Sequence, residues 1–414
     1  MNSNGEYDFD DHNEQSLWES IGFLKKSRSF ATKSIHMDRK FEEFESSSTL
    51  SLINLTSTYK LFEAHNPSSY QYSRFGNPTR NNLEKCLASL ENAKYAVTYA
   101  SGLGAQTAII STLKRGEKIV VDFDMNFDSI RLFKNFTSNM EMEIEFVDFT
   151  DLDGLKNAMT ENVKLVWMES PSSRTMKVLD IRRIADFVHE NLPNARLVVD
   201  NTILSSYLQC PLEFGADVVV YSINKYVHGY SDVVMGSIAV NDDKIHEKLK
   251  YHQGAMGIIP SPFDCYMVNK SLKTLSLRMD HHMKVAYKVA KWLERQPQVD
   301  LVLHPALQSH PQHDIACRQS HGHSGVFAFK LKNPENVENL LKNLKIFLKV
   351  ESIGGFESFM RRAEKVDGLK IDENLINVSI GLEDADDLIE DIQQAMDGGS
   401  KGNDENGNNK LEFY

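Results

Sequence analysis

The strand-like run Asp217-Val218-Val219-Val220 leads directly into Tyr221-Ser222-Ile223-Asn224-Lys225-Tyr226-Val227-His228-Gly229-Tyr230-Ser231-Asp232. The apolar, β-branched half reads as a buried strand. Lys225 follows at its end, closely preceded by Ser222. Burial lowers the affinity of an ammonium for its proton, and a neutral lysine amine can attack an aldehyde to form an imine. Taken alone, the pattern also describes an ordinary lysine snorkelling to water. The surrounding chain reverses that reading.

Two more buried strands end near chemistry-bearing residues. Arg196-Leu197-Val198-Val199-Asp200-Asn201-Thr202 ends in an acid, and Lys164-Leu165-Val166-Trp167-Met168-Glu169-Ser170-Pro171 forms a third strand. Ala96-Val97-Thr98-Tyr99-Ala100-Ser101-Gly102-Leu103-Gly104-Ala105 runs from a short strand through a small-residue turn into a helix. A helix N-terminus presents N–H groups that stabilise an anionic phosphate. A phosphate cradle, a carboxylate on one strand end and a lysine on another are the parts that hold pyridoxal phosphate. The carboxylate would keep the cofactor's ring electron-withdrawing by pairing with its pyridine nitrogen.

Several further segments, in order and spacing, carry a resemblance. They are Tyr72-Ser73-Arg74-Phe75-Gly76-Asn77-Pro78-Thr79-Arg80, Asp200-Asn201-Thr202, the Lys225 segment through Gly236, and Pro260-Ser261-Pro262-Phe263-Asp264-Cys265-Tyr266. Leu272-Lys273-Thr274-Leu275, Ser309-His310-Pro311-Gln312-His313 and Glu351-Ser352-Ile353-Gly354-Gly355-Phe356-Glu357-Ser358 complete the set. Over about residues 30–396 the chain resembles the Cys/Met-metabolism family of pyridoxal-phosphate enzymes, and within it the gamma-lyase branch of transsulfuration.

The resemblance implies an aspartate-aminotransferase-like α/β fold of type I. It implies Lys225 as the residue that holds the cofactor's aldehyde and later moves protons. Asp200 would face the ring nitrogen, and the backbone amides of Gly102 and Leu103, with Ser222, would bind the phosphate. Tyr72 and Arg74 would reach the phosphate of a neighbouring subunit, so the active unit would be a homodimer or homotetramer. Ser352 and Asn377 fall on the substrate side. The implied activity is a C–S lyase that takes cystathionine, a small sulfur amino acid, to cysteine, 2-oxobutanoate and ammonia.

Length and charge agree with this placement. A chain of 414 residues buries a large core and holds more than one domain. A formal net charge of −12 argues against nucleic acid or an anionic membrane as the main partner. No apolar run is long enough to span a bilayer. The N-terminus lacks the plan of a signal peptide, so the expected location is cytoplasmic. Cys86, Cys210, Cys265 and Cys317 lack metal-ligand spacing and read as reduced thiols.

Composition predicts disorder over 1–28 and 397–414. Residues 29–75 read as an extended N-terminal arm, 76–277 as the cofactor domain and 278–396 as a smaller C-terminal α+β domain. Gly76 to about Leu277 alternates strands with helical stretches, which implies a mostly parallel sheet covered by helices. C-terminal strands are predicted at 325–331, 346–350 and 375–380. The cluster His310, His313, His321 and His323 is expected on an outer surface and binds no metal in this reading.

The departures from the family pattern lie on the substrate side. Asn126 stands where the family stacks a tyrosine over the cofactor, leaving Phe127 as the available ring. Ser173 replaces a cofactor-contacting asparagine, and Asn224 replaces a threonine. Asn377 replaces the arginine that would clamp the substrate's α-carboxylate. Losing such a charge-assisted, bidentate partner costs about 2–5 kcal/mol, or roughly thirty- to several-thousand-fold in affinity. The segment between Ser358 and Leu375 is shorter than in the family and contains Arg361 and Arg362, either a replacement charge or a solvated pair. Three readings follow: an active lyase or transferase of transsulfuration type, an enzyme that keeps the cofactor but has weak activity or acts on a substrate other than an ordinary amino acid, and a non-catalytic relative that assembles with an active one.

Overall fold

The computed structural model describes residues 14–27, 29–37, 51–60, 70–363, 372 and 374–398. Seven strands form the first sheet: β1 (Tyr95–Tyr99), β2 (Lys118–Asp122), β3 (Glu143–Val147), β4 (Val163–Glu169), β5 (Arg196–Asp200), β6 (Val218–Ser222) and β7 (Gly236–Val240). Their order is β1-β7-β6-β5-β4-β2-β3. Strands β3, β2, β4, β5 and β6 run parallel, while β7 lies antiparallel between β6 and β1.

The strand sequences explain why this sheet is covered on both faces. Val166, Met168, Leu197, Val199 and Val219 pack into one core cluster. Their alternate neighbours Leu165, Trp167, Val198, Val218 and Val220 pack into the other. A strand with no solvent face reads as a continuous apolar run, as these do. At about 1.5–3 kcal/mol per fully buried large apolar side chain, this alternation holds the central strands in register.

A second sheet, order β10-β11-β9-β8, is antiparallel throughout: β8 (Val299–Leu303), β9 (Val326–Leu331), β10 (Phe359–Arg362) and β11 (Leu375–Ser379). Helix Leu275–Glu294 joins the two halves, so the boundary expected at 277/278 falls inside a continuous helix. No helix among the described residues is long and apolar enough to cross a membrane. No disulfide joins Cys86, Cys210, Cys265 or Cys317.

The structure corrects the sequence reading in four places. The strand expected at 346–350 does not form beyond an isolated bridge from Leu348 to Phe359. The buried carboxylate of Asp391 accepts from the backbone N–H groups of Lys345, Ile346 and Phe347, which are thereby lost to a ladder. β10 takes the edge position instead. The expected disorder of 1–28 fails over Glu14–Ile21, which is helical. Two aromatics outweigh the polar composition there: Trp18 and Phe23 are buried, with Trp18 edge-on to Tyr287 at 5.5 Å. Residues 1–13 and 399–414 lie outside the described residues. The arm is not extended throughout, because Phe30–His36 is a helix with Phe30 buried against Tyr207.

The histidines are the fourth correction. His310 and His323 are buried, not superficial. His323 Nε2 engages the Val326 carbonyl at 2.6 Å, and His313 Nδ1 engages that of Pro305 at 2.9 Å. Among the described residues no group of three or more His, Cys, Asp or Glu is placed to hold a metal ion.

Candidate active site

The chain moves outward from β2 to β3 and then returns to β4 on the other side of β2. Such a reversal opens a crevice at the carboxyl ends of the parallel strands. There the N–H of Asn126, just after β2, donates to Glu169 Oε2 at the end of β4 at 2.7 Å. A cavity of about 400 Å³ opens above this point. Gly102, Asp200, Ser222 and Lys225 line it from the first half of the chain, and Ser352, Arg361 and Asn377 from the second.

One wall is built for an anion. Ser101 caps helix Gly102–Ile110 by accepting from the Gly104 N–H at 2.9 Å. The first N–H groups of a helix, here those of Gly102 and Leu103, have no intrahelical acceptor. A Cβ on Gly102 would lie 2.1 Å from Ser222 Oγ, so only glycine admits that hydroxyl to the helix end. Ser222 donates its backbone N–H to Thr202 Oγ1 at 2.9 Å, and Thr202 in turn donates its hydroxyl to Asp200. These bonds fix the end of β6 against the end of β5.

The floor is built for a cation. Asp200 and Glu169 lie opposite each other in the β4–β5 register, and both are buried. Burial pushes both carboxyl groups above the ordinary range, and the charge of Asp200 raises Glu169 further. Hydrogen bonds from Thr202 partly offset the shift on Asp200. Among the described residues no lysine or arginine pairs with either acid. A protonated pyridine nitrogen is the cation this floor lacks, and the anion wall suits a phosphate. The residues present therefore fit pyridoxal phosphate.

Lys225 sits in the turn after β6, half-buried, and donates from Nζ to Ser352 Oγ at 3.1 Å. Burial pushes its pKa down, as does the nearby Arg361 charge, against opposing pulls from Glu351 and Asp128. The turn is held from below by the buried Arg278, which donates to the carbonyls of Tyr226 at 2.8 Å and Val227 at 3.2 Å. Ser352 reaches Lys225 because its loop lies directly on the turn. Gly354 has φ 74°, and a Cβ there would lie 2.7 Å from the Tyr226 nitrogen. Two glycine-dependent contacts, at 102 and 354, thus bring the helix end to Ser222 and the far loop to the Lys225 turn.

The cavity gathers Lys225, Asp200, Gly102, Leu103, Ser222, Ser352 and Asn377 from the sequence reading. It does not gather Tyr72 and Arg74. Tyr72 is exposed, and Arg74 lies against Tyr72 and Phe75 while donating to the Gly254 carbonyl at 3.1 Å. Phe127 does not stack in the cavity either; it packs against the core. Asn126 instead caps the helix Phe127–Asn139, accepting from the N–H groups of Asp128 and Ser129. Asn377 is turned away from a clamping role, since its Nδ2 donates to the carbonyls of Ser173 at 3.1 Å and Arg174 at 2.9 Å.

Three contributors escape the sequence reading. Glu169 reads there as a strand end, Thr202 only as part of a motif, and β10 not at all. Glu169 has a usable signal: two buried parallel strands each ending in an acid bring those acids side by side.

Comparison with known proteins identifies the family. The family model for Cys/Met metabolism PLP-dependent enzymes matches residues 31–397. The cystathionine gamma-lyase of Homo sapiens is 43% identical over 388 residues, covering 91% of this chain and 96% of that protein. That of Dictyostelium discoideum is 44% identical, covering 80% and 88%. Among solved structures, the cystathionine gamma synthase of Xanthomonas oryzae pv. oryzae, in complex with cystathionine, superposes with a TM-score of 0.85. It is 32% identical and covers 90% of this chain and 99% of that one. metB from Corynebacterium glutamicum gives a TM-score of 0.85 at 35% identity, covering 90% and 98%. The chain belongs to the Cys/Met-metabolism family of pyridoxal-phosphate-dependent enzymes, as a homologue of the cystathionine gamma-lyases.

Proposed function

We propose that the protein cleaves the Cγ–S bond of cystathionine, releasing cysteine, 2-oxobutanoate and ammonia. The observation that carries this reading is the position of Lys225, an amine with a depressed pKa facing a cavity that also holds Asp200 and the Gly102 helix end. The gamma-lyase relatives and the solved homologue in complex with cystathionine support the choice of substrate.

When bound, pyridoxal phosphate supplies an electron sink for negative charge at the substrate Cα. The chain supplies the rest. Asp200, with Glu169 beside it, holds the ring nitrogen protonated. The Gly102 and Leu103 amides and the Ser222 hydroxyl anchor the phosphate. The Lys225 amine takes the proton from Cα and delivers protons to later positions, a role that needs the neutral form near neutral pH. Ser352 accepts from Nζ and fixes where that amine points.

Product analysis tests the reaction. With cystathionine as substrate, cysteine and 2-oxobutanoate are the expected products. Homocysteine and pyruvate would instead indicate β-elimination, and no product from cofactor-loaded protein would leave the non-catalytic reading standing. Asn377 favours that second reading, since its amide is committed to the 173–174 carbonyls.

The working unit in this reading is a homodimer or a dimer of dimers, with Tyr72 and Arg74 serving a neighbouring subunit's phosphate. Tyr72 is exposed, Arg74 is half-buried, and neither lines the cavity of its own chain, which supports it. Light scattering should report at least a dimer; a monomer that is fully loaded and active would refute it.

A further inference from the structure

We infer that Arg361 is the residue that binds the substrate's carboxylate, and that Asn377, at the cavity wall, instead ties the two halves of the molecule together. The inference rests on an amino-acid substrate, as proposed above. The cavity lining holds four carboxylates, Asp128, Glu169, Asp200 and Glu351, and two cations, Lys225 and Arg361. The carboxylate group of an amino-acid substrate entering so acidic a space needs a cation, because an uncompensated buried charge is costly. Lys225 is committed to the cofactor's aldehyde. Arg361 is the cation that remains.

Strand geometry places it. Arg361 on β10 lies directly opposite Asn377 on β11 in the antiparallel register. Directly opposed residues share one face of a sheet, with Cβ atoms about 4.5–5.5 Å apart. A guanidinium launched from position 361 therefore covers the same side of the sheet as a side chain at 377. Arg362, one residue on, faces the other way and stands 3.6 Å from Glu338. The Arg361 guanidinium stands 3.7 Å from Glu351 at the cavity lining, and its charge is felt at Lys225. A substrate carboxylate offers it a bidentate partner. Asn377, buried and bound to two carbonyls of the 173–174 loop, holds β11 to the end of β4 instead.

Binding separates this inference from the activity it rests on. Cystathionine is titrated calorimetrically into Lys225→Ala protein loaded with pyridoxal phosphate, so that affinity is read without turnover. Adding Arg361→Ala should weaken binding roughly thirty- to several-thousand-fold. Arg361→Lys should recover part of the loss, because it keeps the charge but not the fork. Arg362→Ala should bind as the parent does. An analogue lacking the α-carboxylate at the reacting end should be indifferent to Arg361→Ala. In the enzyme with Lys225 intact, Arg361→Ala removes a repelling charge. The Lys225 amine should then capture the aldehyde at higher pH than before, against the unchanged Glu351 and Asp128. Equal cystathionine affinity with and without Arg361 would overturn the inference. Failure of the parent to bind cystathionine at all would overturn the proposed substrate instead.

Discussion

Replacing Lys225 with alanine is expected to lower cystathionine turnover by at least about 10²–10⁴-fold, the range that positioned proton transfer alone contributes. The variant should also lose covalent retention of pyridoxal phosphate. Both effects follow from one amine. It is held in the turn after β6 by Arg278 from below and by Ser352 across the cavity, and burial with the Arg361 charge favours its neutral form. Steady-state kcat measures the loss. A small primary amine added to the medium should restore part of the rate, which a merely structural defect would not allow. A Lys225→Ala enzyme that turned over like the parent would remove the lysine from the chemistry.

Asp200→Asn is expected to weaken cofactor binding by about 2–5 kcal/mol, the cost of removing one partner from a desolvated, hydrogen-bonded charge pair. Asparagine keeps an oxygen for the Thr202 hydroxyl and N–H, so the substitution removes the charge and leaves the local bonds in place. The direction is fixed by the floor of the site. Burial already raises the carboxyl pKa of Asp200, and only a cation against it repays keeping it ionised. The same substitution should let Glu169 ionise more easily, because the Asp200 charge is one of the causes that hold its pKa up. Equilibrium dialysis against pyridoxal phosphate reads the affinity directly. An unchanged dissociation constant would mean that the ring nitrogen lies elsewhere.

The central sheet and the residues Gly102, Asp200, Ser222 and Lys225 that line the cavity were legible because each belongs to a local pattern. β-branched runs at 196–200 and 218–222 mark strands, and their ends carry Asp200, Ser222 and the lysine that follows. The Ser101-Gly102 turn announces a helix N-terminus by composition alone. The substrate side was not legible, because its residues act through long-range register. Nothing near position 361 says that it will face position 377 across two strands, and nothing near 391 says that its carboxylate will consume the N–H groups of 345–347. Asn377 itself could be read as a lost arginine, but its tie to the loop after β4 needed the fold.

The most direct measurement is reduction of the cofactor-loaded protein with borohydride, followed by peptide mass analysis. A pyridoxyl group on Lys225, and on no other lysine, is the expected result. Protein that takes up no pyridoxal phosphate, or that carries the label on another lysine, would contradict the assignment of this cavity as the active site.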